Sequence, residues 1–325
     1  MTMTTAATAR SVRRADDTGL DVVTGAFSYS GRAIAARLLS AGRALRTLTA
    51  HPERAAPDSQ VEIRGLDFDD PIALVESLRG ATTLYNTYWV RFPYGRQDYG
   101  RAVVNSRTLF QAARRAGVRR IVHISITHPS VESPFGYFRG KALAERALAE
   151  AEVPFAIVRP ATLFGRDGVL LNNIAWLLRR LPVFAVGGRG RYHVRPIHVD
   201  DLARLCVDLG RTEDDRVVDA VGPERPAFID LVRAIRDAVD SQARIVPVPG
   251  AVISPLSRAL GLVLHDVLLT GEEHRAMADG LADTDGPATG ERRLSAWLAE
   301  HGPTLGTTYA NEIDRHFRRR VPPRY

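Results

Sequence analysis

The sequence predicts an α/β protein: a parallel, doubly wound sheet with a smaller, discontinuous C-terminal region for substrate. Three observations predict it. Short β-type apolar runs alternate with helical stretches of 3.6-residue period from residue 20 to residue 165. A glycine turn joins the first such run to the first helix. The alternation then loosens after Gly165, where glycine and proline breaks interrupt it.

Leu20 to Thr24 reads as the first strand and Gly31 to Ala41 as the first helix. Ala44 to Thr49 and Val61 to Leu66 read as strands, Pro71 to Leu78 as a helix, and Thr82 to Tyr85 as a strand. Val103 to Ala116 has helical period and stops at Gly117. Arg120 to Ser125 is a fifth strand, Tyr137 to Ala151 a helix, and Phe155 to Arg159 a sixth strand ending at Pro160. Beyond it, Asn172 to Leu181 reads as a helix and Gly187 to Gly190 as a loop. Arg195 to His198 leads into a helix from Asp200, Val217 to Val221 returns to the sheet, and Phe228 to Val239 is helical. The expected organisation is a disordered arm over 1–18, a first domain over 19–165, and a substrate region over 166–325 that rejoins the sheet at about 196–222.

The chain has 325 residues, 45% hydrophobic and 25% charged, enough apolar material for a sizeable core. One cysteine, Cys206, excludes a disulfide scaffold and any multi-cysteine metal site; its helical setting makes it a core residue. Leu260 to Leu269 is apolar but too short to span a bilayer, and it carries His265 and Asp266. No secretory signal opens the chain, so a reduced, cytoplasmic location is expected. The net charge of +7 is spread out, without the basic–aromatic interleaving of a nucleic-acid surface. The exception is His316-Phe317-Arg318-Arg319-Arg320, a tail suited to an acidic partner or a membrane surface. Of 44 basic residues, 43 are arginine, and Lys141 is the sole lysine. In such a biased chain, a surviving lysine points to a place where arginine does not serve.

Val22-Val23-Thr24-Gly25-Ala26-Phe27-Ser28-Tyr29-Ser30-Gly31-Arg32 joins strand to helix. In that setting backbone N–H groups and a helix N-terminus face a pyrophosphate. Gly25 makes the tight turn and Gly31 lets helix and strand approach; Ser28 replaces the middle glycine. Thr24, Gly25, Ser28, Tyr29, Gly31 and Arg32 are the candidate cofactor residues here. Residues 22–52 contain no acid, but they hold Arg32, Arg37, Arg43 and Arg46, and the second strand ends at His51. That field favours a 2′-phosphate, hence NADP over NAD, unless the arginines simply line an outer helix face. Asp67 either bonds the adenine amino group or caps the helix near Pro71.

Tyr137 and Lys141 are four apart on one helix, so the phenol and the ammonium share a face. Bringing a phenol from ~10 to ~7 takes about 4 kcal/mol, part of which a neighbouring cation supplies. Ser125 ends the fifth strand and Thr127 follows on the same side; either hydroxyl can hold a substrate oxygen opposite the phenol.

These residues together resemble the short-chain dehydrogenase/reductase superfamily in its extended or atypical branch, a Rossmann-type fold. Thr24-Gly25-x-x-Ser28-x-x-Gly31 resembles the TGxxGxxG turn, departing at Ser28, and Tyr137 with Lys141 resembles the YxxxK pair. Ser125 matches the active-site serine, and Asn105 the helix asparagine, with Arg107 where glycine is usual. Arg159-Pro160-Ala161-Thr162-Leu163-Phe164-Gly165 resembles the RPxxxFG segment, which adds Pro160 to the cofactor candidates. Pro196 to Ala203 resembles the IHVDDLA segment of sugar epimerases. The resemblance covers about residues 20–240. The 12-residue Ser125–Tyr137 spacing and the Tyr-Phe-Arg-x-Lys wording are similar to relatives of the 39-kDa nucleotide-binding subunit of respiratory complex I. The resemblance implies hydride transfer between nicotinamide and a carbonyl or alcohol carbon. Tyr137 is then the general acid/base, Lys141 its tuning and ribose-binding partner, and Ser125 or Thr127 the group orienting substrate. The complex I subunit implies the alternative, an NADP(H)-binding assembly, scaffold or redox-sensor protein without turnover.

His193 and His198 lie five apart with no third ligand, so no metal is expected. Asp200 and Asp201 read as caps of the following helix. By analogy with the epimerases, Arg191 and Arg195 grip an anionic substrate, or else line a charged loop. Tyr88, Trp89, Phe92 and Tyr94 follow the fourth strand and line a substrate pocket or close its rim. A small-molecule substrate and a homo-oligomer are the partners expected.

Overall fold

The computed structural model describes residues 19–56 and 59–316. The expected arm over 1–18 and the arginines of the tail lie outside the described residues. The elements run β1 (Leu20–Thr24), α1 (Tyr29–Ser40), β2 (Ala44–Thr49), β3 (Glu62–Gly65), α2 (Pro71–Leu78), β4 (Ala81–Asn86), α3 (Tyr99–Ala116), β5 (Arg120–Ile124), α4 (Gly136–Ala149) and β6 (Phe155–Pro160). They continue as β7 (Thr162–Phe164), α5 (Val169–Arg180), β8 (Val183–Gly187), β9 (Pro196–His198), α6 (Val199–Leu209), β10 (Arg216–Ala220) and α7 (Phe228–Ala238). The last are β11 (Arg244–Val248), α8 (Gly250–Leu264), α9 (Gly271–Ala278), α10 (Leu294–His301) and α11 (Glu312–His316).

Seven strands form one parallel sheet in the order β10-β6-β5-β4-β1-β2-β3. Their residues alternate between two cores, as a period of two requires. Val23, Tyr85, Val122 and Val158 pack on one face against Ile34 and Leu38 of α1 and Leu202 and Cys206 of α6. Val22, Leu84, Ile121 and Ile157 pack on the other against Leu74 of α2, Phe110 of α3 and Leu148 of α4. The chain runs outward from β1 through β2 to β3, then crosses back to β4 on the other side of β1. That reversal opens a crevice at the C-terminal ends of β1 and β4, the place where such sheets take ligands.

After β6 the chain leaves the sheet and returns as β10, paired in parallel with β6. Between and beyond them, β7 pairs with β9 and β8 with β11 as two small sheets. A third core joins Leu171 and Leu178 of α5, Leu231 and Ile235 of α7, and Trp297 and Leu298 of α10. Helix α3 starts at Tyr99, a turn earlier than its apolar period suggests, because Asp98 caps it by accepting Arg101 N–H at 2.7 Å. The sequence also left α8 unread; its apolar residues and internal Pro255 obscure the helical signal.

The turn into α1 is set by backbone proximity. Gly25 has φ +63°, and a Cβ built on Gly31 would sit 2.1 Å from the Gly25 carbonyl oxygen. A carbonyl cannot yield as a side chain can. Gly31→Ala is therefore expected to destabilise the fold by about 3 kcal/mol, the upper end of the overpacking range. A urea midpoint unchanged from wild type would show that the turn opens freely.

Candidate active site

Helix α1 begins with its donors unclaimed. Ser28 is the N-cap residue but makes no side-chain cap, and the first turn contains no acid. Ser28 N–H is used by Gly25 O at 2.8 Å, so the N–H groups of Tyr29, Ser30 and Gly31 are the orphans of this helix end. Three uncapped donors at the switch-point crevice fit a pyrophosphate. The side chains nearby turn elsewhere. Tyr29 carries its hydroxyl against Gly165 and Gly168, buried and without a partner among the described residues. Arg32 pairs with Asp167. A cavity of about 710 Å³ adjoins this end of α1, with Tyr29, Arg32, His198 and Trp297 in its wall.

Thr24 serves the strand ends. Its hydroxyl donates to Asn86 Oδ1 at 3.1 Å and accepts from the N–H groups of Thr87 and Tyr88. Because Tyr88 N–H also donates to Asn86 Oδ1, the Asn86 amide group must donate to His123 Nδ1, at 2.9 Å. His123 is then the neutral tautomer with its proton on Nε2, which has no partner among the described residues. Burial, and behind it the charge of Lys141, holds its pKa well below the ordinary imidazole value. This buried chain of Thr24, Asn86 and His123 crosses β1, β4 and β5 beneath the crevice; the sequence reading missed its last two members.

Lys141 is 2% exposed, and its Nζ donates to Ile124 O at 2.7 Å, one residue before Ser125. Its ammonium lies 4.5 Å from the Trp89 ring centre. Burial pushes its pKa down to about 7, with Glu145 opposing. Ser125 is anchored by its N–H to Val158 O, and its hydroxyl is buried with no partner among the described residues. Tyr137 meets Trp89 and Tyr99 edge to face, with ring centres 6.0 and 5.9 Å away. Burial, and after it the carboxylate of Glu273, raises the phenol above its ordinary pKa. Gly140 makes room for the indole: a Cβ there would lie 3.1 Å from Trp89 Cζ2.

Tertiary partners hold this aromatic box. Arg91, just past Trp89, bonds Glu273 at 3.0 Å and Glu312 at 2.7 Å, tying the loop after β4 to α9 and α11. Tyr99 donates to Arg91 O, and Glu272 accepts Gly136 N–H at the start of α4. Arg91, Tyr99, Glu272 and Glu273 were not legible as site residues, because their partners lie up to some 220 positions apart.

Other candidates are otherwise engaged. The Thr127 hydroxyl donates to Leu281 O at 2.7 Å. Tyr88 turns from the Tyr137 side, accepting from Asn105 at 2.8 Å and packing on Phe68. Pro160 closes β6, its carbonyl accepting Thr127 N–H. Arg195 donates to the carbonyls of Gly222, Thr284 and Gly286, so its guanidinium is not open to an anion. Arg191 is exposed in the loop before β9. The cap of α6 is the His198 ring, not an aspartate: Asp201 accepts Glu291 and Arg292 N–H, and Asp200 pairs with Arg292. The described residues contain no cluster of potential metal ligands.

The adenosine end also departs from expectation. Arg43 pairs with Asp21 and Arg46 with Glu62, while Arg32 is held by Asp167, so these three do not face the end of β2. The groups beside that end are His51, whose Nδ1 lies 3.1 Å from Glu53, and Arg54. Arg54 donates to Arg315 O, but its buried Nε has no partner among the described residues. Helix α2 is capped by Asp70, and the exposed Asp67 bonds Asp69 N–H in a local turn.

Residues 25–174 match the model of a family described as NAD(P)H-binding. Over 171 residues the chain is 28% identical to subunit 9 of the NADH dehydrogenase [ubiquinone] 1 alpha subcomplex from Rattus norvegicus, covering 51% of this chain and 45% of that subunit. Over 201 residues it is 31% identical to an uncharacterized protein of Mycobacterium tuberculosis, 62% of this chain but 21% of that one. The chain thus spans less than half the length of these relatives. Among solved structures, the Escherichia coli NADPH-dependent quinone oxidoreductase QOR2 with NADPH has TM-score 0.72 and 18% identity, covering 86% of this chain and 99% of that one. The Citrobacter triphenylmethane reductase with NADP(H) has TM-score 0.71 and 18% identity, covering 87% and 99%. At such identity these structures speak for the fold alone. No helix among the described residues is long and apolar enough to cross a membrane. Residues 25–174 thus match an NAD(P)H-binding model, on a parallel α/β fold of the Rossmann type that these solved reductases share.

Proposed function

We propose that the protein is an NADPH-preferring reductase of apolar carbonyl or quinone-like compounds. The observation that carries this reading is the bond from Lys141 Nζ to Ile124 O, which seats the α4 pair against the strand end bearing Ser125. The α1 donors would hold the pyrophosphate, with Gly25 and Ser28 shaping the turn. Lys141, with donors left after Ile124, would hold the nicotinamide ribose beside Pro160. His51, Arg54 and Asp67 would take the adenosine end. Bound NADPH supplies a hydride to an electrophilic carbon. Ser125 orients the oxygen of that carbon, and Tyr137 donates its proton to it. A phenol held above its ordinary pKa by burial keeps its proton at neutral pH, so Tyr137 has a proton to donate. The ring box of Trp89, Tyr99 and Tyr137 supports a flat apolar substrate.

A second reading, cofactor binding without turnover, is favoured by the Trp89 ring covering Lys141 and by the complex I homologues.

With NADPH and a panel of quinones and aryl carbonyls, Tyr137→Phe is expected to lower kcat by about 10²- to 10⁴-fold. NADPH affinity should stay within about twofold, because the phenol is not a binding group. Turnover undiminished in the variant defeats the acid role; tight NADPH binding with no turnover on the panel selects the second reading. Binding of neither nucleotide defeats both. Arg54→Gln is expected to weaken NADPH about tenfold by calorimetry and leave NADH unchanged; equal losses would exclude a 2′-phosphate contact.

Lys141 also makes stability depend on pH. Its folded pKa is about 7 against 10.5 in the free side chain. Between these values the unfolded chain holds a proton that the folded one has released, so stability rises with pH through that window. Relative to Lys141→Met, wild type should gain a few kcal/mol between about pH 6.5 and about pH 9.5 in urea unfolding. Parallel curves for the two proteins would show the amine to be solvated.

A further inference from the structure

The last described stretch of chain crosses the mouth of the crevice. It leaves the third core where Asn172 donates to Thr308 O and Asn173 to Ala310 O. Asn311 then donates to the carbonyls of Leu264 and His265, and the Asp266 carboxylate accepts the N–H groups of Glu312 and Ile313, which seats the start of α11. From there α11 is held by one residue after β4 and one after β2. Arg91 pairs with Glu312 at 2.7 Å, and Arg54 donates to Arg315 O at 2.8 Å. Strands β4 and β2 flank β1 and lie two strand spacings apart, about 10 Å. A helix gripped from both sides passes over the C-terminal end of β1, where the Gly25 turn begins.

One side chain of that helix reaches the turn. Arg315 donates through Nη1 to Asp167 O at 2.9 Å, and the Asp167 carboxylate is paired with Arg32 at the start of α1. The bond to Asp167 O uses one of the five donors of a guanidinium. The Arg315 charge is felt at Tyr29, the first residue of α1: burial raises that phenol above its ordinary pKa, the Asp167 charge adds to the rise, and Arg315 opposes it. It is felt also at Arg54, whose pKa burial lowers first, with Glu53 opposing and Arg315 lowering it further. Two guanidiniums held this near each other favour an anion beside them. The buried Arg54 Nε, without a partner among the described residues, adds a donor in want of an acceptor. The uncapped N–H groups of Tyr29, Ser30 and Gly31 stand at the same end of α1.

We infer that Arg315, carried across the crevice by the strap from Tyr309 to Arg315, binds the pyrophosphate of the dinucleotide opposite the start of α1. The inference rests on the NADPH-binding reading above and adds to it a residue from the far end of the chain. Arg54, beside the end of β2, is left for the 2′-phosphate. The two arginines are therefore separable by ligand, because the pyrophosphate is common to NADPH and NADH and the 2′-phosphate is not.

Calorimetry of the full chain with both nucleotides tests it. Arg315→Gln, which keeps an N–H donor for Asp167 O, is expected to weaken NADPH and NADH alike, each about tenfold or more. Hydrogen exchange gives a readout that needs no variant: in wild type, saturation with NADPH should slow amide exchange across Tyr309–Arg315 about fivefold or more. That measurement decides the matter should the substitution unseat α11. Wild type that binds neither nucleotide brings down the cofactor reading itself. Where wild type binds NADPH, the inference alone is overturned if Arg315→Gln keeps both affinities within about twofold of wild type, or if exchange across the strap is unchanged at saturation. A loss confined to NADPH also overturns it, since the contact would then be to the 2′-phosphate.

Discussion

The amine of Lys141 is taken out of water with one carbonyl and one indole to receive it, and the neighbouring polar groups are arranged accordingly. Desolvating an ammonium is costly unless hydrogen bonds and charges replace water. Ile124 O supplies the bond, the Trp89 face an attraction, and Glu145 an opposite charge that it shares with Arg159 at 3.0 Å. The deficit that remains appears as a lowered pKa. Burial, and after it the charge of Lys141, likewise keeps the His123 imidazole neutral, and Asn86 holds it.

Sheet topology puts these groups where a nucleotide fits. The reversal of strand order at β1 and β4 brings Thr24, Asn86 and the uncapped start of α1 to one crevice, with Ser125 one strand further along. The region after β6 then covers that crevice. Arg91 is clamped by Glu273 and Glu312, Thr127 by Leu281, and the 165–168 segment lies against Tyr29. These contacts tie the walls of the site together, and the Trp89 indole is part of them, over Lys141. Whether that indole flanks a substrate ring or only shields the amine separates an enzyme from a nucleotide-binding scaffold.

The arginine-rich composition acts mostly through structure. Arg120 reaches the carbonyls of Leu209, Phe155 and Asp214, and Arg179 and Arg180 hold the segment from Gly302 to Thr307. A planar fork with five donors suits such multiple carbonyl contacts better than an ammonium does. Its prevalence explains why positive charge in the sequence was a poor guide to anion binding.

What the sequence determined by itself is local. The β/α alternation, the Gly25–Gly31 turn and the four-residue step from Tyr137 to Lys141 arise from period, backbone freedom and helix geometry, each a matter of a few neighbouring residues. The burial of Cys206 was legible in the same way, from its place on a helical face. Only the tertiary structure decided which charges are spent. Arg43 finds Asp21 and Arg195 finds Gly286 across 22 and 91 positions, and neither pairing leaves a trace in the local pattern. The same holds for Thr127, for the cap His198 supplies and for the clamp on Arg91. A side chain's chemistry is written in its residue type, but its availability depends on partners that only folding brings within reach.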